Sequence, residues 1–341
     1  YDGTASSLLV EPERTNLVTY SSDFSESSWL RQNLTVELNS AVSPSGDSDA
    51  SKLVEDSSNT THRILTSAGL TISGDVSISV FAKKGERNWI KLLNNNLVGA
   101  FFDLENGVIG SVGGGIDAKI ENYGNGWYRC SFTATAVANE RIGIYTSIDG
   151  INLTYQGDGT SGVYVYGATI ELGSYPTSYI PTDGGTVTRV QDQYSKTGIS
   201  NLINSEEGVL FLEMAALSDD GTYRLMNIRD VSNTDNFIYL GYKDASNTIR
   251  TRIEVGGVAS TDMEFVLSNE TEFNKIAIKW KTNDFALWVN GVEVATDSSG
   301  VSFTANTLDE LSLDRNGSLE FNGKVKQLQV FKTALTDSEL I

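Results

Sequence analysis

Short runs of alternating apolar and polar residues, each cut by Gly, Asn, Asp or Ser, recur along the whole chain. Residues 75–80 alternate strictly, with Val76, Ile78 and Val80 on one side. Residues 127–132 place Tyr128, Cys130 and Phe132 together and turn Arg129 and Ser131 the other way. Residues 275–280 repeat the pattern with Ile276, Ile278 and Trp280 on the apolar side. Asn290-Gly291 separates two such runs by two residues, the spacing of a tight hairpin in which both turn residues take positive φ. No long segment carries a 3.6-residue period. The pattern predicts an all-β chain of many short antiparallel strands, hence sandwiches or jelly rolls.

The chain's 341 residues suffice for two domains with separate cores. Strand-like alternation ends at a turn cluster, Thr182-Asp183-Gly184-Gly185-Thr186, and restarts at Gly208-Val209-Leu210-Phe211-Leu212-Glu213. The expected layout is a sandwich over 8–182, a linker over 183–205, a jelly roll over 206–333 and the start of a C-terminal helix over 334–341. Thr336-Asp337-Ser338-Glu339 has the spacing of a capping box, which opens that helix.

Charge and rare residues narrow the chemistry. With 25 basic against 44 acidic residues the net charge is −19, which argues against a nucleic-acid footprint. No apolar run reaches the roughly 18 residues that membrane insertion needs. The first residue is Tyr1 and not Met, so the sequence is expected to begin inside a longer product. Cys130 is alone, which removes an intramolecular disulfide and any Cys-based zinc site. His62 is the one histidine, so motifs needing two imidazoles are absent, and it reads as a loop or strand-edge residue. Nothing resembling Gly-x-Ser-x-Gly supplies a serine nucleophile. A pair of carboxylates could still serve a glycosidase, and 44 acidic residues make that test uninformative. The chain is expected to be non-catalytic.

Several phrases occur together in the first half. Leu9-Val10-Glu11-Pro12-Glu13-Arg14-Thr15-Asn16-Leu17 precedes Tyr20-Ser21-Ser22-Asp23-Phe24 and Trp29. Gly124-Asn125-Gly126-Trp127-Tyr128-Arg129-Cys130 and Gly167-Ala168-Thr169-Ile170-Glu171-Leu172-Gly173 follow, then Ser174-Tyr175-Pro176-Thr177-Ser178-Tyr179-Ile180-Pro181-Thr182. The series resembles the carbohydrate-binding-module-like β-sandwich of bacteriophage tail and other virion surface proteins, also found on bacterial polysaccharide enzymes. In the second half, residues 205–213, 285–291 and 323–337 resemble a laminin-G-like, concanavalin-type jelly roll of fibre-like phage proteins.

The resemblance implies a tail- or head-fibre module on the virion surface that attaches to a host cell-surface polysaccharide or glycan. Other virion proteins would be its neighbours, and fibres of this kind suggest a homo-oligomer, a trimer by analogy. Two further readings stand beside this one: a purely structural virion protein, and an accessory carbohydrate-binding region of a secreted polysaccharide-degrading enzyme. Related sandwiches hold a structural calcium through an acid on the last strand. Here Tyr166, Gly167 and Ala168 stand near that place, so no cofactor is expected and a calcium has no clear motif.

Sugar sites on β-sandwiches need an aromatic platform, with planar polar groups to read the hydroxyls. Trp29, Trp127 and Trp280 are explained by packing. Trp89 shares a face with Lys91 and not with Ile90, and Trp288 faces away from Leu287 and Val289. Tyr164 and Tyr166 point outward if Val163 and Val165 enter the core. These four aromatics, Trp89, Trp288, Tyr164 and Tyr166, are the candidate carbohydrate-binding residues. Asp47, Asp49, Asp56, Asp149 and Asp158 fall in polar loops without metal-ligand spacing, and the sequons at Asn33, Asn59, Asn152, Asn269 and Asn316 follow from composition.

Overall fold

Alternation along each strand sends one set of side chains into a shared core and leaves the other set outside. The computed structural model describes residues 7–315 and 317–340, so the Asn316 sequon lies outside the described residues. The chain divides into two units, Glu13–Val190 and a second one made of residues 7–12 with 191–340. Each contains a pair of six-stranded antiparallel sheets, the first unit with two further two-stranded ones, and the only helix among the described residues is the single turn Asp337–Leu340. The protein is therefore all-β, with two tandem sandwiches.

In the first unit one sheet runs Asp117–Gly124, Trp127–Thr135, Asp75–Lys84, Gly162–Leu172, Ala50–Glu55, Leu34–Ala41. Its partner runs Val108–Val112, Gly99–Asp103, Trp89–Leu93, Gly143–Ser147, Arg63–Thr66, Trp29–Gln32. Sequence neighbours are often not sheet neighbours, as jelly-roll crossovers require. Val76, Ile78, Val80, Cys130, Phe132, Val163 and Val165 from the first sheet meet Ile64, Ile90, Leu92, Phe102 and Ile144 from the second in one core. Cys130 is fully buried there, and burial raises its thiol pKa, as the small-hydrophobe reading requires.

In the second unit one sheet runs Leu8–Val10, Gly323–Phe331, Glu207–Ala216, Asn274–Lys281, Phe285–Val289, Val292–Asp297. The other runs Ser195–Thr197, Glu310–Ser312, Arg224–Arg229, Phe237–Tyr242, Thr248–Val255, Val258–Val266. Leu210, Leu212, Ile276, Ile278, Trp280 and Leu287 pack on Met226, Ile228, Ile238, Leu240 and Tyr242. The Asn290-Gly291 hairpin forms as expected, with φ of 51° and 79° and Val289 paired to Val292.

Three short strands depart from the expected layout. Leu8–Val10, read with the first sandwich, pairs with Gly323–Phe331 and closes the edge of a second-unit sheet. The stretch read as a linker contains Val187–Arg189, paired with Arg14–Asn16, and Ser195–Thr197, paired with Glu310–Ser312. Three-residue polar strands are too short for a period to show. Ladder bonds and local contacts fix them instead, such as the Glu11 N–H donating to the Asp192 carboxylate at 2.9 Å.

Val10 is wholly buried within the second unit's core. Val10→Ala removes two methyl groups and leaves a hole, at a cost of about 2 kcal/mol. Denaturant unfolding should show that loss in the second unit and leave Glu13–Val190 unmoved. Unchanged unfolding of the second unit would overturn the placement of this strand.

Candidate functional site

The outward residues of the sheet containing Gly323–Phe331 and Phe285–Val289 form rows across the strands. Register places Gln329 beside Phe211, Phe211 beside Ala277, and Ala277 beside Trp288. A methyl group between two large rings makes a hollow. The hollow opens into a cavity of about 500 Å³, within the size range of small-ligand sites, with Gln327 and Lys275 along its rim. Leu335 and Leu340 of the C-terminal turn pack over the same aromatic cluster. Glu339 accepts hydrogen bonds from the Thr336 N–H (2.8 Å) and hydroxyl (2.7 Å), the capping box expected there, and this holds the turn.

Trp288 thus faces away from the core as its alternation requires, but it is covered, with 6% of its surface exposed. Its indole N–H sets it apart. Trp29, Trp127 and Trp280 are buried and donate to the carbonyls of Tyr20, Val42 and Asn204. The Trp288 N–H is buried with no partner among the described residues. An unmet buried donor costs about 1–3 kcal/mol, which a ligand oxygen can recover. The Gln327 and Gln329 side chains are exposed on the same face, able both to donate and to accept.

The other three candidates belong to the first unit. Tyr164 and Tyr166 do point outward, opposite Val163 and Val165, on one sheet of the first unit. Tyr166 is 7% exposed, and its ring is packed with those of Phe81 and Tyr179. Tyr164 is half-buried beneath the Lys52 ammonium, 5.8 Å from the ring centre. Trp89 sits on the opposite sheet, half-exposed, its ring held against Gly110 and Gly150. A Cβ at Gly150 would approach that ring to 2.6 Å, and φ there is +70°, so glycine is required twice over.

An aromatic pair that the pattern did not single out lies in the second unit. Phe237 and Tyr239 stack outside the core with ring centres 5.7 Å apart. Arg315 lies over both rings, at 5.1 and 5.5 Å. Only register reveals this pair, because a strand of six buried residues shows no alternation.

His62 and the loop acids serve structure. His62, read as a loop or strand-edge residue, is fully buried between two strands, with Nδ1 2.7 Å from the Asn33 carbonyl and its ring against Tyr155. Asp149 accepts from the backbone of Ile151 and Asn152 and from the Asn152 amide, which hold its pKa down at about 2. Asp158 is lowered in the same way by Ser161 and Thr160. The acid on the long strand, Glu171, accepts the N–H and hydroxyl of Thr177, both at 2.9 Å, and burial raises its pKa. Among the described residues no three His, Cys, Asp or Glu side chains converge as metal ligands, and no helix is long and apolar enough to cross a membrane.

The fold is that of two tandem antiparallel β-sandwiches, each with its own apolar core. Residues 211–341 match the family model described as the concanavalin A-like lectin/glucanases superfamily. No curated protein matches the chain. Among solved structures, the Ruminococcus gnavus IT-sialidase CBM40 bound to alpha2,3 sialyllactose is similar over 44% of this chain and 94% of its own, at 18% identity and a TM-score of 0.35. Sheep galectin-11 in complex with glycerol covers 42% and 100%, at 7% and 0.30. Mouse laminin alpha1 domains LG4-5 cover 80% and 86%, at 12% and 0.29. These likenesses extend no further than the fold.

Glu270 supplies a pH-dependent signature. It is 2% exposed, and burial first, then the nearby Asp219 charge, push its carboxyl from 4.5 up to about 7. Between those values the folded chain keeps a proton that the unfolded chain has released. Stability therefore falls as pH rises through that window, and the cost is complete above it. Glu270→Gln, a neutral isostere, should melt higher than the parent at pH 8 and equally near pH 4. Equal melting at both pH values would refute the raised carboxyl.

Proposed function

We propose that this protein is a non-catalytic glycan-recognition module and that the second unit binds sugar in the hollow at Ala277. The observation that carries this reading is the row Gln329, Phe211, Ala277, Trp288. It combines two aromatic walls, a low floor and an unmet indole donor, with exposed amides beside it. An apolar sugar face packs on such walls, while Gln327, Gln329 and Lys275 read its hydroxyls. Weak single sites of this kind act through repeated display.

Two carriers suit such a module: a virion fibre, with an oligomer and virion neighbours, and an extracellular polysaccharide-degrading enzyme. The first-half phrases resemble both. The family model matched by residues 211–341 is described by lectins and glucanases, and this favours the accessory region of an enzyme.

Ala277→Leu fills the hollow without touching the core face and should weaken binding to an uncharged array-identified glycan at least tenfold by calorimetry. Gln329→Ala should weaken it several-fold while melting is unchanged. Binding of an uncharged glycan that survives Ala277→Leu would remove the site, and a parent chain that binds no glycan on a broad array would remove the function.

A further inference from the structure

The first unit carries a second face with a different chemistry. Across its sheet of Trp89–Leu93, register aligns five outward residues from five strands: Phe101, Lys91, Tyr145, Arg63 and Gln32. Aromatic and cationic residues alternate along this row. The Lys91 ammonium lies 4.6 Å from the Phe101 ring centre, and the Arg63 guanidinium 5.2 Å from that of Tyr145. Arg63 donates to the Gln32 amide oxygen and to the Tyr145 hydroxyl, both at 2.5 Å. Trp89 stands beside the row, half-exposed, on the same strand and face as Lys91.

Neither cation has a carboxylate within 4.0 Å among the described residues, although the chain has 44 acids against 25 bases. Elsewhere Lys52, Lys84, Arg87, Arg250 and Arg252 all have one. The Lys91 pKa is lowered by burial, with no acid acting on it. Asp103, two residues along the strand from Phe101, and Asp149, two residues beyond the strand of Tyr145, are bonded within their own turns. Asp103 accepts from Glu105 and Asn106, and Asp149 from Ile151 and Asn152. A half-buried ammonium and a guanidinium on aromatic faces, without counter-charge, favour an anionic ligand that also offers an apolar surface.

We propose that this face binds an acidic polysaccharide bearing repeated carboxylates, with Lys91 and Arg63 each taking a carboxylate and Trp89 packing on a sugar ring. The two cations stand two strand spacings apart, about 9.6 Å at the backbone. Lys91 leans toward Phe101, away from the Arg63 strand, so a chain with spaced charges fits better than one terminal carboxylate. The inference keeps the glycan-recognition reading and adds to it a second face and a ligand class.

The test titrates the full chain with polygalacturonate, with its methyl-esterified form and with 3′-sialyllactose at fixed salt. The parent should bind the free acid at least tenfold more tightly than the ester or the single-carboxylate sugar. Lys91→Gln with Arg63→Gln should abolish that preference, while circular dichroism and melting report an intact fold. Ala277→Leu should leave it unchanged. Equal binding of acid and ester, or a preference that survives the double substitution, overturns the proposal. Tighter binding of sialyllactose than of the polymer overturns the repeated-charge reading. If Ala277→Leu removes binding and the double variant does not, this face falls and the glycan reading stands.

Discussion

A strand has two faces, and in a sandwich only one of them can enter the core. That constraint governs this protein. Twelve sheet positions in each unit supply strands whose inward residues make one apolar cluster, and every outward residue must then be covered, solvated or offered to a partner. Because inward Val163 and Val165 are fixed by the core, Tyr164 and Tyr166 are driven outward whatever their own preference. Trp288 is forced out by Leu287 and Val289 in the same way. An aromatic side chain outside the core is thus first a consequence of alternation, and it carries information about ligands only through what covers it.

The covers differ, and the difference separates packing from recognition. Tyr166 is closed over by Phe81 and Tyr179, other rings of its own unit. Phe237 and Tyr239 are capped by Arg315, whose guanidinium satisfies the ring faces electrostatically. Trp29, Trp127 and Trp280 lie inside with their indole donors met by backbone carbonyls. Trp288 departs from all of these. Leu335, Leu340 and the Phe211 and Phe331 rings pack on its cluster, and its donor is left unmet. Burial without hydrogen-bond satisfaction is costly, and such positions persist where something else is gained.

The alternation legible in the sequence reached as far as the core. Ile276, Ile278 and Trp280, or Val76, Ile78 and Val80, could be placed because inward residues need only be apolar and spaced by two. The all-β class and the Asn290-Gly291 hairpin rest on equally local rules. The edge strand Leu8–Val10 was not legible in this way, since its partner strand begins at Gly323, over three hundred positions away. The candidate site was legible only in part. Trp89 and Trp288 could be turned outward by counting along their strands, but what stands next to them is set by register across strands. Ala277 beside Trp288 and Arg63 beside Tyr145 are contacts between sequence-distant strands or across a hairpin. No spacing rule within one strand encodes them.

Register also reconciles the net charge with an anionic ligand. A charge of −19 describes the whole chain, but at physiological salt fields decay over about 8 Å, so a ligand on one sheet face senses its own neighbourhood. Several acids are bonded within their own surroundings. Asp149 and Asp158 are held by the N–H groups of their turns, and Glu55 is paired with Arg87 and bonded by the Tyr155 hydroxyl. Glu171 lies buried against Thr177. Lys91 and Arg63, by contrast, rest on rings, which attract a cation without neutralising it. A ring face leaves the full charge available to a carboxylate arriving from outside, as a salt bridge would not. An acidic chain can present a locally cationic surface through this choice of neighbour, and the neighbour is chosen by strand pairing.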